Sequence, residues 1–222
     1  MKTMRANFGS PPSLLFKTAQ LLNDAVDAHI SADVELADTL IREADIPELG
    51  EWLDPIWLRK SEVTKAIKVE GIPPVLPKDQ RDPARMPTAN MKRELIARDG
   101  HHCRFCSIPL VRAEVRKELC RLYPNAARWT SPCETDQHRG LQVLWLQYDH
   151  LMVHSRGGAT SLENMVIACV ACNFGRDRYT LEEMRFLDPR THPRTPNWSG
   201  AAGWDGLERI LPKSKQWLAE AA

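Results

Sequence analysis

The chain has 222 residues, of which 43% are hydrophobic and 27% are charged. This composition supports one or two domains with a real hydrophobic core and excludes a disordered, collagen-like or coiled-coil chain. Because no run of about 18 apolar residues is present, it also excludes a membrane-spanning helix. The net charge of +1 is unevenly spread: residues 1–70 hold eight basic and twelve acidic side chains, and residues 71–222 hold 22 and 17. The second part can therefore face a polyanion.

The first 70 residues are predicted to be helical. Apolar side chains recur at three- and four-residue spacing in three segments: 13–29 with Ser13 as its cap, 32–45, and one that follows Pro47 and is expected to break near Pro55. We interpret residues 1–70 as a helical docking or dimerisation module, because their acidic balance sets them apart from the remainder of the chain.

A proline-rich connector follows this module. Residues 71–88 contain five prolines, which predict a semi-rigid segment and place a domain boundary there. Residues 89–186 are expected to form a second domain, and residues 187–222 a C-terminal loop and helix. The predicted elements are, in chain order, helices at 89–98 and 111–123, strands at 141–148 and 165–168, a helix from Cys169 to about Phe186, and a tail helix at 207–218. The fold class is therefore α+β.

The six cysteines point to a metal site rather than to disulfides. The N-terminal residues show no secretory signal, so we expect a cytoplasmic protein with reduced thiols. Cys103 and Cys106 form one C-x-x-C pair, and Cys169 and Cys172 form another after 62 intervening residues. Two such pairs predict a tetrahedral Zn²⁺ site. Because four protein thiolates leave no position for a substrate, its role is structural.

Other residues near these pairs receive simpler interpretations. Cys120 and Cys133 are expected to be buried or free thiols, and His101 and His102 to lie at the surface. The basic side chains that follow Cys106 either shape a nucleic-acid groove or form a solvated helix face: Arg112, Arg116, Lys117, Arg121 and Arg128.

A series of short motifs runs through the second part of the chain. In order, they are Arg98-Asp99-Gly100, the first C-x-x-C, Asp149-His150, Arg156-Gly157-Gly158, Leu162-Glu163-Asn164 and the second C-x-x-C followed by Asn173. This order resembles the HNH endonuclease family, in its zinc-stapled branch, over roughly residues 91–180. The resemblance implies a ββα-metal core, in which two strands, an irregular loop and a helix grip one divalent ion.

The resemblance also implies a role for each matching residue. His150 would be the general base that deprotonates the attacking water, and Asp149 and Asn173 would hold a catalytic Mg²⁺ or Mn²⁺. Asn164 would brace the loop and help to orient the imidazole. These residue types suit phosphodiester hydrolysis, because histidine titrates near neutral pH and Mg²⁺ needs few protein oxygens. The cation would neutralise charge in the transition state.

Three arginines flank the proposed metal site. Arg156, Arg176 and Arg178 are candidates for phosphate contacts, although each alone is also consistent with a solvated charge.

The leading hypothesis is a metal-dependent HNH endonuclease that cuts DNA. An RNA-cleaving enzyme is the first alternative, and a catalytically idle zinc-stapled nucleic-acid-binding module is the second. The idle module is disfavoured, because every catalytic position holds a competent residue. We expect a role in anti-phage defence or restriction, with residues 1–70 contacting an ATPase or a second copy of the chain. A homing or phage-encoded nuclease is the rival context.

Overall fold

The computed structural model describes residue 8 and residues 10–58, 64–129, 133–192 and 195–217. Within these ranges the chain forms eight α-helices and one two-stranded antiparallel sheet, so the predicted α+β class is confirmed. None of the helices that the structure describes has both the length and the apolar character needed to cross a membrane.

Three helices form the first part of the chain, as predicted: α1 (Ser13–Ile30), α2 (Val34–Glu43) and α3 (Glu48–Trp57). α1 packs along α2. Asp33 caps α2 by accepting a hydrogen bond from the Leu36 amide at 3.1 Å, which satisfies one of the amides that the first turn leaves without a helical partner.

Two details of these helices were predicted wrongly. Pro12, rather than Ser13, occupies the cap position of α1, and no side chain caps that helix. α3 continues through Pro55 to Trp57 instead of breaking there. Pro55 removes one helical hydrogen bond, but Leu53 and Ile56 on either side of it are buried, and this packing outweighs the loss.

Two further helices agree with the prediction, α4 (Ala89–Asp99) and α5 (Ala113–Leu122). Gly100 ends α4 with a φ of 69°, a backbone conformation that favours glycine. The end of α4 is also tied to the sheet. Arg98 donates to the Met165 carbonyl at 2.7 Å, and the Asp99 carboxylate accepts from the Ile167 amide at 3.0 Å.

Only the second part of the strand predicted at 141–148 is confirmed. Its first residues belong to a short helix, α6 (Arg139–Val143), and strand β1 covers Leu146–His150. His138 starts α6, since its Nδ1 accepts the Leu141 amide at 3.1 Å. A short apolar run fits a buried helix as well as a strand, so the sequence alone does not separate the two.

β1 pairs with β2 (Met165–Cys169) in antiparallel register, with Asp149 opposite Val166 and His150 opposite Met165. The pairing confirms the second predicted strand. It also places Asp149 and His150 at the end of β1, where the chain enters the loop that leads back to β2.

The long helix predicted after Cys169 is two short ones. α7 (Val170–Arg176) ends where Asp177 adopts a φ of 53°, and α8 (Leu181–Met184) begins with Thr180 as its cap. The Thr180 hydroxyl accepts the Glu183 amide, and the Glu183 carboxylate accepts the Thr180 amide. This reciprocal capping box makes α8 a separate helix.

The predicted tail helix is wrong. Of the predicted helix at 207–218, the structure describes residues 207–217, and these form two 3₁₀ turns, Glu208–Ile210 and Lys213–Lys215. The last residue of the prediction lies outside the described residues. Leu207 has a φ of 62° and Pro212 lacks an amide proton, so neither position supports a continuous helix.

Two basic residues of the segment after Cys106 have buried side chains and do not lie on a solvated helix face. Arg112 is buried and pairs with both carboxylate oxygens of Glu208, at 2.5 and 2.7 Å. The Arg116 guanidinium lies 3.8 Å from the ring of Trp129 and 4.4 Å from that of Trp145. Both side chains therefore stabilise the packing of the tail and of α5.

A continuous hydrophobic core joins the first three helices to the later elements. Polar contacts support this junction: His138 Nε2 donates to the Ile41 carbonyl at 2.8 Å, and Arg139 pairs with Asp54 at 2.9 Å. The division of the chain at residues 71–88 stays a prediction.

Candidate active site

The four cysteines of the two C-x-x-C pairs come together. Their Sγ atoms all lie within 4.8 Å of one another, and Cys106 Sγ is 3.7 Å from Cys169 Sγ. A tetrahedral ion with Zn–S bonds of about 2.3 Å would hold its sulfurs about 3.8 Å apart, so the cluster fits one such ion. Burial raises the pKa of the Cys169 thiol, and a bound cation would stabilise the thiolate form of this residue.

The neighbouring cysteines and histidines lie outside this cluster. Cys120 is half-buried, and the exposed Cys133 has its Sγ 2.9 Å from Thr135 Oγ1. The surface position predicted for His101 is wrong, because it is buried with its Nε2 3.2 Å from Glu208 Oε1. Burial lowers the pKa of His102 to about 4, and its Nε2 accepts a hydrogen bond from Trp198 Nε1 in the tail at 3.4 Å.

Asp149 is a buried carboxylate of the site. Its Oδ1 accepts from Arg176 Nη2 at 2.5 Å, but its Oδ2 has no hydrogen-bond partner among the described residues. Burial raises the pKa of this carboxyl group, and the adjacent Arg176 acts in the opposite direction. Buried carboxylate oxygens without a partner are rare, and a bound cation is one way to satisfy them. Asp149 therefore fits the role of a metal ligand.

Asn173 lies in α7 and faces the same cavity as Asp149, which has a volume of about 530 Å³. Its Nδ2 is 3.5 Å from Gln147 Oε1, so the amide donates toward β1 and keeps Oδ1 as an acceptor. One carboxylate oxygen and one amide oxygen on a common cavity form a donor set that a hard divalent cation accepts.

His150 lies beside these groups with its imidazole held at one nitrogen. Its Nε2 is 2.9 Å from Thr160 Oγ1. Burial, assisted by the nearby His154 and Arg176, lowers the pKa of His150 to about 4. The imidazole is therefore neutral at pH 7 and able to accept a proton.

Asn164 organises the loop between the strands. Its Oδ1 accepts the Met152 amide at 2.8 Å, and its Nδ2 donates to the carbonyls of Met152 and Ala159 at 3.0 and 2.8 Å. Gly158 passes so close to this point that a Cβ would lie 1.7 Å from the Met152 oxygen. The loop conformation after His150 thus depends on an asparagine and a glycine at fixed positions.

The three arginines expected near phosphate differ in placement. Arg176 is buried, and besides Asp149 it donates to three backbone carbonyls. Arg156 donates to the carbonyls of Pro73 and Arg178 and pairs with Glu183 at 3.0 Å. Of the three, Arg178 alone lines the cavity. Arg156 and Arg176 thus contact protein groups, whereas Arg178 faces the space beside Asp149.

Residues that sequence reasoning missed complete the cavity wall. Arg85 of the connector and Lys92 of α4 line the same cavity as His150, and Thr160 contacts His150 itself. None of them belongs to a motif. Arg85 could not be recognised, because its segment was interpreted only as a connector.

The family comparison agrees with this geometry. Residues 134–176 match the family model described as HNH endonuclease. The chain carries an HNH endonuclease domain. The matched part of the HNH domain contains both strands, His150 and α7 up to Arg176, together with the second cysteine pair. The cysteine cluster is consistent with the zinc-stapled branch. The chain matches no curated protein and no solved structure.

Proposed function

We propose that this protein is a divalent-metal-dependent endonuclease that hydrolyses DNA phosphodiester bonds. The observation that carries the proposal is the buried Asp149 carboxylate, whose Oδ2 has no hydrogen-bond partner among the described residues, in the wall of the cavity that Asn173 and the neutral His150 also line. An acceptor for a proton and two oxygen ligands for a cation are the groups that this hydrolysis requires.

Each of these residues has a role in the proposal. Asp149 and Asn173 would hold Mg²⁺ or Mn²⁺, which supplies positive charge for the scissile phosphate and the leaving oxygen. His150 takes the proton of the attacking water, and Asn164 keeps the loop that carries the following residues in place. Arg176 acts as a positioning residue, because its guanidinium fixes the Asp149 carboxylate through Oδ1 and leaves the buried Oδ2 without a hydrogen-bond partner.

Positive side chains on the cavity wall support a nucleic-acid substrate. Arg85, Lys92 and Arg178 come from three different segments and line the cavity beside His150. Phosphate contacts of this kind position a polynucleotide without reading its sequence. We assign the phosphate-binding role to these three residues, and we assign Arg156 to fixing the connector against α8.

Zn²⁺ is the ion that we propose for the four-cysteine cluster. Four thiolate donors match the preference of this metal for sulfur and leave no coordination site for water or substrate. The cluster would join the loop after α4 to β2 and α7. β2 is the strand that pairs with β1, which contains His150, and α7 contains Asn173. Its proposed role is to hold the catalytic groups together.

For the first three helices we propose contact with an ATPase or with a second copy of the chain, in a cytoplasmic anti-phage or restriction system. Three exposed apolar side chains support an interaction there: Ile30 at the end of α1, and Val34 and Leu36 in the first turn of α2. Leu36→Asp should abolish any self-association seen by light scattering. An unchanged dimer mass in this variant would contradict the assignment of this surface.

Cleavage of matched DNA and RNA tests the substrate. We would incubate the zinc-loaded protein with supercoiled plasmid and with RNA of the same sequence, in Mg²⁺, Mn²⁺ or EDTA. The proposal predicts metal-dependent nicking of plasmid that EDTA abolishes. Cleavage of RNA alone would identify the RNA-cleaving alternative, and binding of either polymer without any cleavage would identify the idle binding module.

A further inference from the structure

The connector at residues 71–88 forms one wall of the site. Its Leu76 amide donates to the Ser155 carbonyl at 2.8 Å, and its Pro73 carbonyl accepts from Arg156 Nη1 at 2.5 Å. Both partners belong to the loop between β1 and β2. The connector is therefore fixed to the loop that orients His150.

The hydrogen bonds around Thr160 have only one consistent direction. The Thr160 hydroxyl contacts the Ala84 carbonyl of the connector, and a carbonyl can only accept. The single hydroxyl proton of Thr160 is therefore used on Ala84, so Thr160 Oγ1 must accept at its other contact. That contact is His150 Nε2, which must carry a proton.

His154 gives a second case of the same arrangement. Its Nε2 is 2.7 Å from the Asp82 carbonyl, which again can only accept. Its ring centroid is 5.5 Å from that of His150. The connector thus fixes both neighbouring imidazoles as Nε2–H tautomers, one directly and one through Thr160.

A neutral imidazole protonated at Nε2 has its lone pair at Nδ1. We propose that Thr160 and the Ala84 carbonyl are positioning groups that hold His150 in the Nε2–H tautomer, so that Nδ1 receives the proton of the attacking water. In that step the water O–H bond breaks, its proton goes to Nδ1, and its oxygen forms the new bond to phosphorus. The P–O bond to the leaving oxygen breaks, and that oxygen takes a proton from solvent.

This assignment rests on the proposed function, but its first test does not require activity. The protein is labelled with ¹⁵N-histidine, and the ring nitrogen shifts of His150 report the tautomer. The wild type should show a protonated Nε2, and Thr160→Ser should keep it, because serine retains the hydroxyl. Thr160→Val has nearly the same shape without the hydroxyl and should populate the Nδ1–H form.

The kinetic test uses the same variants on plasmid DNA. Thr160→Val should lower kcat by about 10–100-fold, the usual effect of removing a group that orients a catalytic side chain, while Thr160→Ser stays within a few-fold of the wild type. A folded Thr160→Val protein with an unchanged kcat and an unchanged His150 tautomer would overturn the inference.

A second pair of variants tests the connector. Asp82 Oδ1 accepts the Ala84 amide at 2.8 Å, in a turn that presents the Ala84 carbonyl to Thr160. Asp82→Asn keeps this acceptor, whereas Asp82→Ala removes it. The inference predicts a tautomer change and a lower kcat for Asp82→Ala only, and equal behaviour of the two variants would contradict the role of the connector.

Different results would contradict the proposed nuclease function and the assignment of the His150 tautomer. Wild-type protein that shows no metal-dependent cleavage of DNA or RNA would remove the proposed function, while the NMR measurement still reports the tautomer. Active wild-type protein in which His150 carries its proton on Nδ1 would leave the nuclease intact and overturn the present inference.

Discussion

At the scale of single residues, the ion pair between Asp149 and Arg176 determines which carboxylate oxygen is left without a hydrogen-bond partner. Arg176 engages one oxygen of the carboxylate and leaves the other unsatisfied in a buried position. This favours binding of a cation, because a buried carboxylate oxygen without a hydrogen-bond partner is costly. It also means that any change at Asp149 affects a buried ion pair as well as the proposed metal ligand.

The first prediction therefore uses the mildest change at this position. Asp149→Asn keeps an oxygen for Arg176 but loses the negative charge, so affinity for Mn²⁺ should fall about tenfold or more. The measurement is a titration followed by the Mn²⁺ resonance signal. Asp177→Asn is the matched control, because Asp177 is exposed and also lines the cavity. Equal Mn²⁺ affinity of wild type and Asp149→Asn would exclude Asp149 as a ligand.

The contrast between Arg176 and Thr160 shows what the sequence can and cannot supply at this scale. The HNH motifs identified Asp149, His150 and Asn173, and the structure brings these three side chains to one cavity. Sequence spacing could not separate an arginine at the surface from the buried Arg176. Nor could it reveal the contact of Thr160 with Ala84, since the two residues are 76 positions apart and one partner is a backbone carbonyl.

At the scale of elements, the cysteine cluster connects segments that are otherwise short. The loop with Cys103 and Cys106 has little regular structure, and α7 has only seven residues. A metal bound by four thiolates contributes directly to the stability of such segments.

The second prediction follows from this connection. Cys106→Ser should lose the bound zinc and lower the melting temperature by several degrees or more, since a structural site contributes folding energy. Cys120→Ser is the matched control, because Cys120 lies outside the cluster. Zinc content by elemental analysis and thermal unfolding give the readouts. A Cys106→Ser protein with full zinc and an unchanged melting temperature would contradict the assignment.

Element boundaries follow the sequence where a local signal exists and depart from it where packing decides. Gly100 marks the end of α4 as predicted. The apolar run at 141–148 does not show where α6 stops and β1 starts, because both halves contain buried apolar residues and the side chain that starts α6, His138, is not a common cap. α3 passes through Pro55 for a related reason, since its buried side chains continue on both sides.

At the scale of the whole molecule, His138 joins the first helices to the HNH domain. Its Nε2 donates to the Ile41 carbonyl, and its Nδ1 accepts the Leu141 amide. This arrangement needs a neutral imidazole, and burial lowers the pKa of His138 below its ordinary value of 6.5. Protonation at Nδ1 would remove the cap of α6.

The third prediction concerns pH and stability. Because the pKa of His138 is lower in the folded state, the unfolded chain binds more protons below about pH 6.5, and the free energy of unfolding falls as the pH falls through this window. His138→Asn keeps a capping acceptor but cannot titrate. At pH 8 it should be less stable than the wild type by about 1 kcal/mol, through the lost bond to Ile41.

The difference between the two proteins isolates His138, because the other histidines are common to both. Urea unfolding at pH 8 and at pH 5 should show that the stability difference shrinks or reverses in acid. A difference that stays constant across this range would contradict a buried neutral His138.

The most direct test of the nuclease account compares two neighbouring histidines. His150→Ala removes the proposed base and should slow Mg²⁺-dependent plasmid nicking by about 10²–10⁴-fold. His154→Ala removes an imidazole whose ring is 5.5 Å away and should retain most of the activity. With equal zinc content and melting temperature in all three proteins, loss of nicking in His150→Ala alone is the predicted result. Equal nicking rates for wild type and His150→Ala would contradict the account.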